Sequence, residues 1–299
     1  MNSVIRTIGL SKKFKGVPVL DGLDLEVPGG SIFGLVGANG AGKTTTIKVL
    51  MNIHSPTAGR SEVLDTDSRR LSPRQFAEIG YVSENQEMPE WMTVGYFLRY
   101  LSGFYPTWDT ALATDLVREF QLPLDRKLRH LSHGMRMKAA LASSLAYHPK
   151  LMVLDEPFTG LDALVRDELI EGILPRAENT TIFISSHDLT EIESFASHIG
   201  YLDRGKLQFS EELEALSGRF REITLTFDAV PEVPPEWPRD WLQPEKSAAV
   251  IKFIDTRFDQ QRTAAEVRRV FPEFRDMAVN AMPLRAIFVT LAKASRKAN

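Results

Sequence analysis

Eight consecutive residues, Gly37-Ala38-Asn39-Gly40-Ala41-Gly42-Lys43-Thr44, with Thr45 and Thr46 behind them, restrict this chain more than any other stretch. They fit the Gly-x-x-x-x-Gly-Lys-[Ser/Thr] pattern of a loop that wraps a polyphosphate. Such a loop aims several backbone N–H groups inward, which needs positive φ and a close backbone approach that side chains would block. The flanks agree. Residues 31–36 read as a buried strand entering the loop and residues 43–51 as a helix leaving it. The free N–H groups and the dipole at the start of that helix favour the same anion. Lys43 is expected to reach the β- and γ-phosphates, and the Thr44 hydroxyl to sit on Mg²⁺.

A length of 299 residues is too great for one small core and suits two domains. The absence of cysteine excludes a disulfide framework, a thiolate metal site and a catalytic thiol. A net charge of −3 gives no electrostatic ground for general nucleic-acid binding, and no nucleic-acid partner is expected. The first residues lack the basic and then apolar run of a secretion signal. No apolar stretch approaches the ~20 residues that span a bilayer. A cytoplasmic location is expected, with any membrane part supplied by another chain.

Along the chain, residues 4–10 and 19–27 read as strands around the polar turn Ser11-Lys12-Lys13-Phe14-Lys15-Gly16. Leu23-Asp24-Leu25-Glu26-Val27 alternates as a half-exposed antiparallel strand does. Ser55-Pro56-Thr57-Ala58-Gly59 reads as a loop and residues 79–84 as a strand. From Thr93 to about His148 the spacing turns helical, with Val94, Phe97, Leu98 and Leu101 on one face and Leu112, Leu116 and Phe120 on a second. This block, about residues 90–148, is a helical subdomain set inside an α/β frame. Leu151-Met152-Val153-Leu154 is apolar throughout, as a strand buried on both faces of a parallel sheet is, and residues 180–185 read as a second such strand. Their alternation with helices indicates βαβ units. At about Gly218 the composition shifts. Residues 222–227 and 249–254 read as strands, while Pro231, Pro234, Pro235 and Pro238 forbid regular structure between them. Leu284, Ile287, Phe288 and Leu291 mark a final amphipathic helix. The expected fold is an α/β P-loop NTPase with a mixed, mainly parallel core sheet, an antiparallel β subdomain and the helical insertion over residues 1–218. A small α+β accessory domain follows over residues 219–299.

Two acids and a histidine complete the local chemistry. The apolar strand delivers Asp155 to the carboxyl edge of the sheet, where a P-loop ATPase needs a carboxylate to hold Mg²⁺ opposite Thr44. Glu156, one residue on, points elsewhere and is the group to orient or deprotonate an attacking water. His187 follows the next apolar strand. It is either a ligand for a γ-phosphate oxygen or a surface residue capping a helix that begins near Asp188.

In order, the P-loop, Tyr81-Val82-Ser83-Glu84, Leu131-Ser132-His133-Gly134-Met135, Asp155-Glu156, Gly160-Leu161-Asp162 and Ser186-His187 resemble the nucleotide-binding subunit of an ATP-binding cassette (ABC) transporter, over about residues 4–217. The resemblance implies ATP sandwiched between two such subunits, identical or different, whose hydrolysis drives separate integral membrane permease subunits from the cytoplasmic face. It implies that Phe14 stacks on adenine and that Ser132 and Gly134 close over the γ-phosphate held by the opposite subunit. Asp162 crosses the dimer interface and His187 acts as a switch histidine. Glu84 falls where the family has a glutamine that touches Mg²⁺, with Gln86 as a neighbouring substitute. The signature reads Leu-Ser-His-Gly-Met where the commonest form is Leu-Ser-Gly-Gly-Gln, leaving the roles of His133 and Met135 open. These departures, with Glu90-Trp91-Met92-Thr93-Val94 and Pro283-Leu284-Arg285-Ala286-Ile287-Phe288, are similar to a branch that pairs with ABC-2-type export permeases. Trp91, Phe97 and Tyr100 then either face a permease or fill a helix core. A soluble ABC ATPase uncoupled from transport, and a weakly hydrolysing nucleotide-gated binding subunit, are the alternatives.

Overall fold

The computed structural model describes residues 3–177, 179–234 and 236–297; Pro235 of the proline cluster lies outside them. The chain divides into two compact units, residues 1–210 and 211–299.

In the first unit, β1 (Ser3–Phe14) and β2 (Val17–Pro28) pair antiparallel, and the alternation in β2 turns Leu23, Leu25 and Val27 into the core. β3 (Ile32–Val36) leads through the phosphate loop into α1 (Lys43–Leu50). β4 (Ala58–Val63) adds to the far side of β1 and β5 (Thr66–Asp67) to β4, giving an antiparallel sheet in the order β2-β1-β4-β5. The sequence reads Ala58 and Gly59 as loop. The strand starts there because β1 supplies the hydrogen bonds, while only Ser61 and Val63 of β4 are buried.

After α2 (Pro73–Phe76) comes β6 (Ile79–Ser83), then the helical insertion with α3 (Val94–Ser102), α4 (Thr110–Glu119) and α5 (His133–Leu145). Phe97 is buried, whereas Trp91 and Tyr100 are exposed. The remaining elements of this unit are β7 (Leu151–Asp155), α6 (Ala163–Ile173), β8 (Thr181–Ser186), β9 (His198–Asp203) and β10 (Lys206–Glu212), the last running across the division. They complete a six-stranded sheet, β10-β9-β3-β8-β7-β6, whose β9, β3, β8, β7 and β6 run parallel. Every residue of β7 and β8 is buried, as strands covered on both faces must be. One apolar core joins both sheets through α1, with Ile47, Val49 and Leu50 of the helix set among Leu23, Leu25, Phe33, Val153 and Phe183.

The parallel register decides where the chemistry falls. Val36 sits beside Ser186, Ser185 beside Asp155, and Asp155 beside Ser83. The carboxyl ends of β3, β8, β7 and β6 therefore share one edge, the side on which open α/β sheets bind ligands.

The second unit begins before the composition shift: Gly218 lies within α7 (Leu213–Arg219). β11 (Arg221–Thr226), β12 (Trp241–Ser247) and β13 (Val250–Asp255) precede α8 (Gln260–Val270), β14 (Asp276–Ala281) and α9 (Leu284–Lys297). The sheet runs β12-β13-β11-β14, all antiparallel. Ile223, Leu225, Trp241, Ile251, Phe253, Val267 and Phe271 form its core. β12 and β14 are not evident from the sequence because most of their side chains are exposed and carry no alternation.

Candidate functional site

Two kinds of glycine constraint shape the phosphate loop. Gly42 caps α1 with φ +112°, a conformation that L side chains rarely adopt. Gly37 is needed for space: a Cβ there would run into the Leu202 carbonyl oxygen. The loop so formed opens on a cavity of about 490 Å³ lined by Asn39, Gly40, Gly42, Lys43, Thr44, Thr45, Glu84, Glu156, Thr159 and His187. The Lys43 ammonium is buried at its base, donating to the Gly37 carbonyl (2.6 Å) and lying 3.0 Å from Glu156 Oε1.

Asp155 ends β7 with only 3% of its surface exposed. Ser185 Oγ and Thr44 Oγ1 both donate to its Oδ1, at 2.7 and 3.0 Å. Burial pushes its carboxyl above the ordinary aspartate value, against the downward pull of those two bonds.

Glu156 follows with φ +52°, a left-handed backbone costing on the order of 1–2 kcal/mol for a residue with a Cβ. Its N–H bonds to the Ser185 carbonyl and hydroxyl, at 3.2 and 3.0 Å, which holds the turn. The turn swings its carboxylate away from Asp155 towards Lys43 and His187. Glu156 Oε2 lies 2.7 Å from His187 Nδ1 and accepts from Thr159 Oγ1 at 3.2 Å. Burial raises the Glu156 carboxyl, but its bonds to His187 and Lys43 outweigh this and hold it below the ordinary glutamate value. The same hydrogen bond raises the His187 imidazole. An ionised carboxylate can only accept, so Nδ1 carries a proton and Nε2 is left for another partner. The turn after His187 is a single 3₁₀ turn, Leu189–Glu191, capped by Asp188 and not by His187.

Beside this cavity lies another of about 290 Å³, lined by Thr44, Glu84, Gln86, Asp155 and Glu156 among others. Gln86 Oε1 is buried there without a hydrogen-bond partner among the described residues. This set of hard oxygen donors fits Mg²⁺. Among the described residues no group of three or more His, Cys, Asp or Glu side chains could hold a metal alone. Mg²⁺ does not need one, since it keeps waters and takes substrate phosphate oxygens beside one or two protein ligands.

Phe14 does not line the phosphate cavity; its half-exposed ring meets His54 edge-on at 5.3 Å, with Lys12 Nζ 4.8 Å above it. Ser132, Gly134 and Asp162 are likewise outside that cavity. Ser132 caps α5, accepting from Met135 N–H, and Asp162 caps α6, accepting from Val165 N–H. Ser185 and Thr159 were not found from sequence. A serine ending one apolar strand gains meaning only when the register sets it against the aspartate ending another.

Fold and site together define a P-loop nucleoside triphosphatase. A family model described as ABC transporter matches residues 20–159. The chain is 31% identical over 221 residues to the ABC transporter ATP-binding protein YtrB of Bacillus subtilis (strain 168), covering 73% of this chain and 75% of that one. It is 30% identical over 310 residues to the daunorubicin/doxorubicin resistance ATP-binding protein DrrA of Streptomyces peucetius, covering 96% and 92%. A solved ATP-binding subunit of an ABC transporter superposes with a TM-score of 0.66 at 26% identity, over 72% of this chain and 92% of that chain. The chain belongs to the family of ABC transporter ATP-binding proteins, ATPases that serve transporters. Among the described residues no helix is long and apolar enough to cross a membrane.

Proposed function

We propose that this chain hydrolyses MgATP within a dimer of nucleotide-binding subunits at the cytoplasmic face of a membrane, and thereby drives export through a separate permease. The single observation that carries the reading is the position of Glu156. Its carboxylate is held on three sides, by Lys43, Thr159 and His187, at the wall of the phosphate cavity.

The loop N–H groups, the start of α1 and the Lys43 ammonium bind the polyphosphate. Phosphate oxygens are stronger acceptors for Lys43 than the Gly37 carbonyl, so substrate draws the ammonium outward and leaves Glu156 to a water. Thr44 and Asp155, with Gln86 or Glu84 beside them, would hold Mg²⁺, which neutralises charge on the β- and γ-oxygens when bound. Glu156 orients the water and accepts its proton. His187, steadied through Nδ1, presents Nε2 to a γ-phosphate oxygen. Ser132, Gly134 and Asp162 lie outside their own chain's phosphate cavity, which supports their use on the nucleotide of a second subunit. Phe14 is left to meet the adenine. Residues 1–218 would carry this work and residues 219–299 an accessory one. DrrA, named for drug resistance, shares that tail and supports the export branch.

Glu156→Gln tests the reading. It keeps the hydrogen-bonding shape but cannot take a proton, so we expect turnover to fall at least about a hundredfold while ATP still binds and a dimer accumulates on size exclusion. Turnover within twofold of the parent would remove Glu156 from the mechanism.

A further inference from the structure

We infer that His133, one of the two residues that depart from the common signature, is a positioning residue: it holds Glu156 in place through Thr159. The inference rests on the reading of Glu156 as the group that orients water.

His133 opens α5, and its Nε2 lies 3.2 Å from the Thr159 carbonyl oxygen. A carbonyl only accepts, so Nε2 is the protonated nitrogen in this contact. Thr159 is in turn bonded twice to Glu156. Its N–H donates to the Glu156 carbonyl at 3.3 Å and its hydroxyl to Glu156 Oε2 at 3.2 Å. That same oxygen faces His187 Nδ1 at 2.7 Å. A continuous path therefore runs from the first residue of α5 to one oxygen of the candidate water-orienting carboxylate.

Packing makes the path stiff. A Cβ on Gly134 would come within 2.8 Å of Val165 Cγ1, so α5 sits as close to the start of α6 as a glycine allows. His133 Cδ2 lies 4.0 Å from where a Cβ of Gly160 would be, beside the turn of residues 157–160 that holds Thr159. A glycine in place of His133 would leave the Thr159 carbonyl without this donor, and Thr159 free to shift. Because Glu156 has to meet a water within hydrogen-bond reach, a shift of about 1 Å is costly to rate and nearly neutral to substrate binding. The arrangement also ties the signature end of α5 to the same chain's Glu156 without passing through a nucleotide.

The test is steady-state ATPase kinetics of the full chain for the parent, His133→Ala, His133→Gln, Thr159→Val and the double variant His133→Ala/Thr159→Val, with melting temperatures for each. We expect His133→Ala to lower kcat about tenfold with KM for ATP within about twofold. His133→Gln, whose amide nitrogen reaches the same carbonyl, should recover kcat to within about threefold of the parent. Thr159→Val should lower kcat similarly, and the double variant should be no slower than the slower single, as members of one path are. An unchanged kcat in His133→Ala, a glutamine variant as slow as the alanine one, or losses that multiply in the double variant would each overturn the inference. Glu156→Gln separates the two claims. If it abolishes turnover while His133→Ala does not lower it, only the path is wrong; if it turns over normally, the role of Glu156 and the path fall together.

Discussion

Ser185 shows how much a single hydroxyl carries at the sheet edge. Its Oγ donates to Asp155 Oδ1 and accepts from the Glu156 N–H, so one atom holds both the acid proposed to face the metal and the left-handed turn of the acid proposed to face water. Replacing it with alanine leaves a buried carboxylate short of a donor. We expect Ser185→Ala to cost about 1–2 kcal/mol, read from urea unfolding, and to raise the Mg²⁺ concentration needed for half-maximal turnover. Unfolding coincident with the parent's would show that Thr44 alone holds Asp155. Glycine at 37 is required for space alone, whereas at 42 it is required both by the backbone conformation and by the closeness of Leu20 and the Val19 carbonyl, which a motif written as letters does not distinguish.

Between elements, the contact of α5 with α6 is partly ionic. Lys138 is buried on α5 and its Nζ lies 2.6 Å from Glu168 Oε2 on α6, whose side chain is 28% exposed. Breaking the pair from either side should therefore give unequal losses. Glu168→Ala strands an ammonium in the core and is expected to cost about 2 kcal/mol. Lys138→Met leaves a carboxylate that can still reach water and should cost under about 1 kcal/mol. Equal losses in thermal or urea unfolding would mean that Lys138 finds water on its own. The helical spacing of α3 was plain in the sequence, yet which of its aromatics are covered was not: Phe97 is buried and Tyr100 is exposed.

At the scale of the whole molecule, the second unit has its own polar anchor. Asp255 is fully buried at the end of β13, where it accepts from Arg262 Nη2 at 3.0 Å, Thr263 Oγ1 at 2.6 Å and Arg257 N–H at 2.9 Å. Removing the carboxylate leaves the Thr263 hydroxyl and the Arg257 N–H without this acceptor, while Arg262 keeps the Arg257 carbonyl and Asp240. Asp255→Ala should destabilise this unit by about 2 kcal/mol, seen as faster hydrogen exchange across residues 221–281. ATP affinity should stay within about twofold, because no residue lining the phosphate cavity comes from this unit. Faster exchange spreading through β3, β7 and β8 would show that the two units unfold together.

By itself the sequence determined the phosphate loop, the buried parallel strands, the two acids and the helical insertion. Each is local: a glycine pattern, an apolar run or a 3.6-residue spacing is stated within a dozen residues. What only the tertiary structure decided are relations between residues far apart in the chain. Parallel register set Ser185 against Asp155, and the left-handed turn at Glu156 sent two adjacent acids to different partners. The seating of α5 on the turn after β7 turned His133 from an odd letter in a motif into a partner of Thr159. Hydrogen bonds of this kind join groups whose separation in sequence has no fixed meaning, and only packing brings them within hydrogen-bond reach.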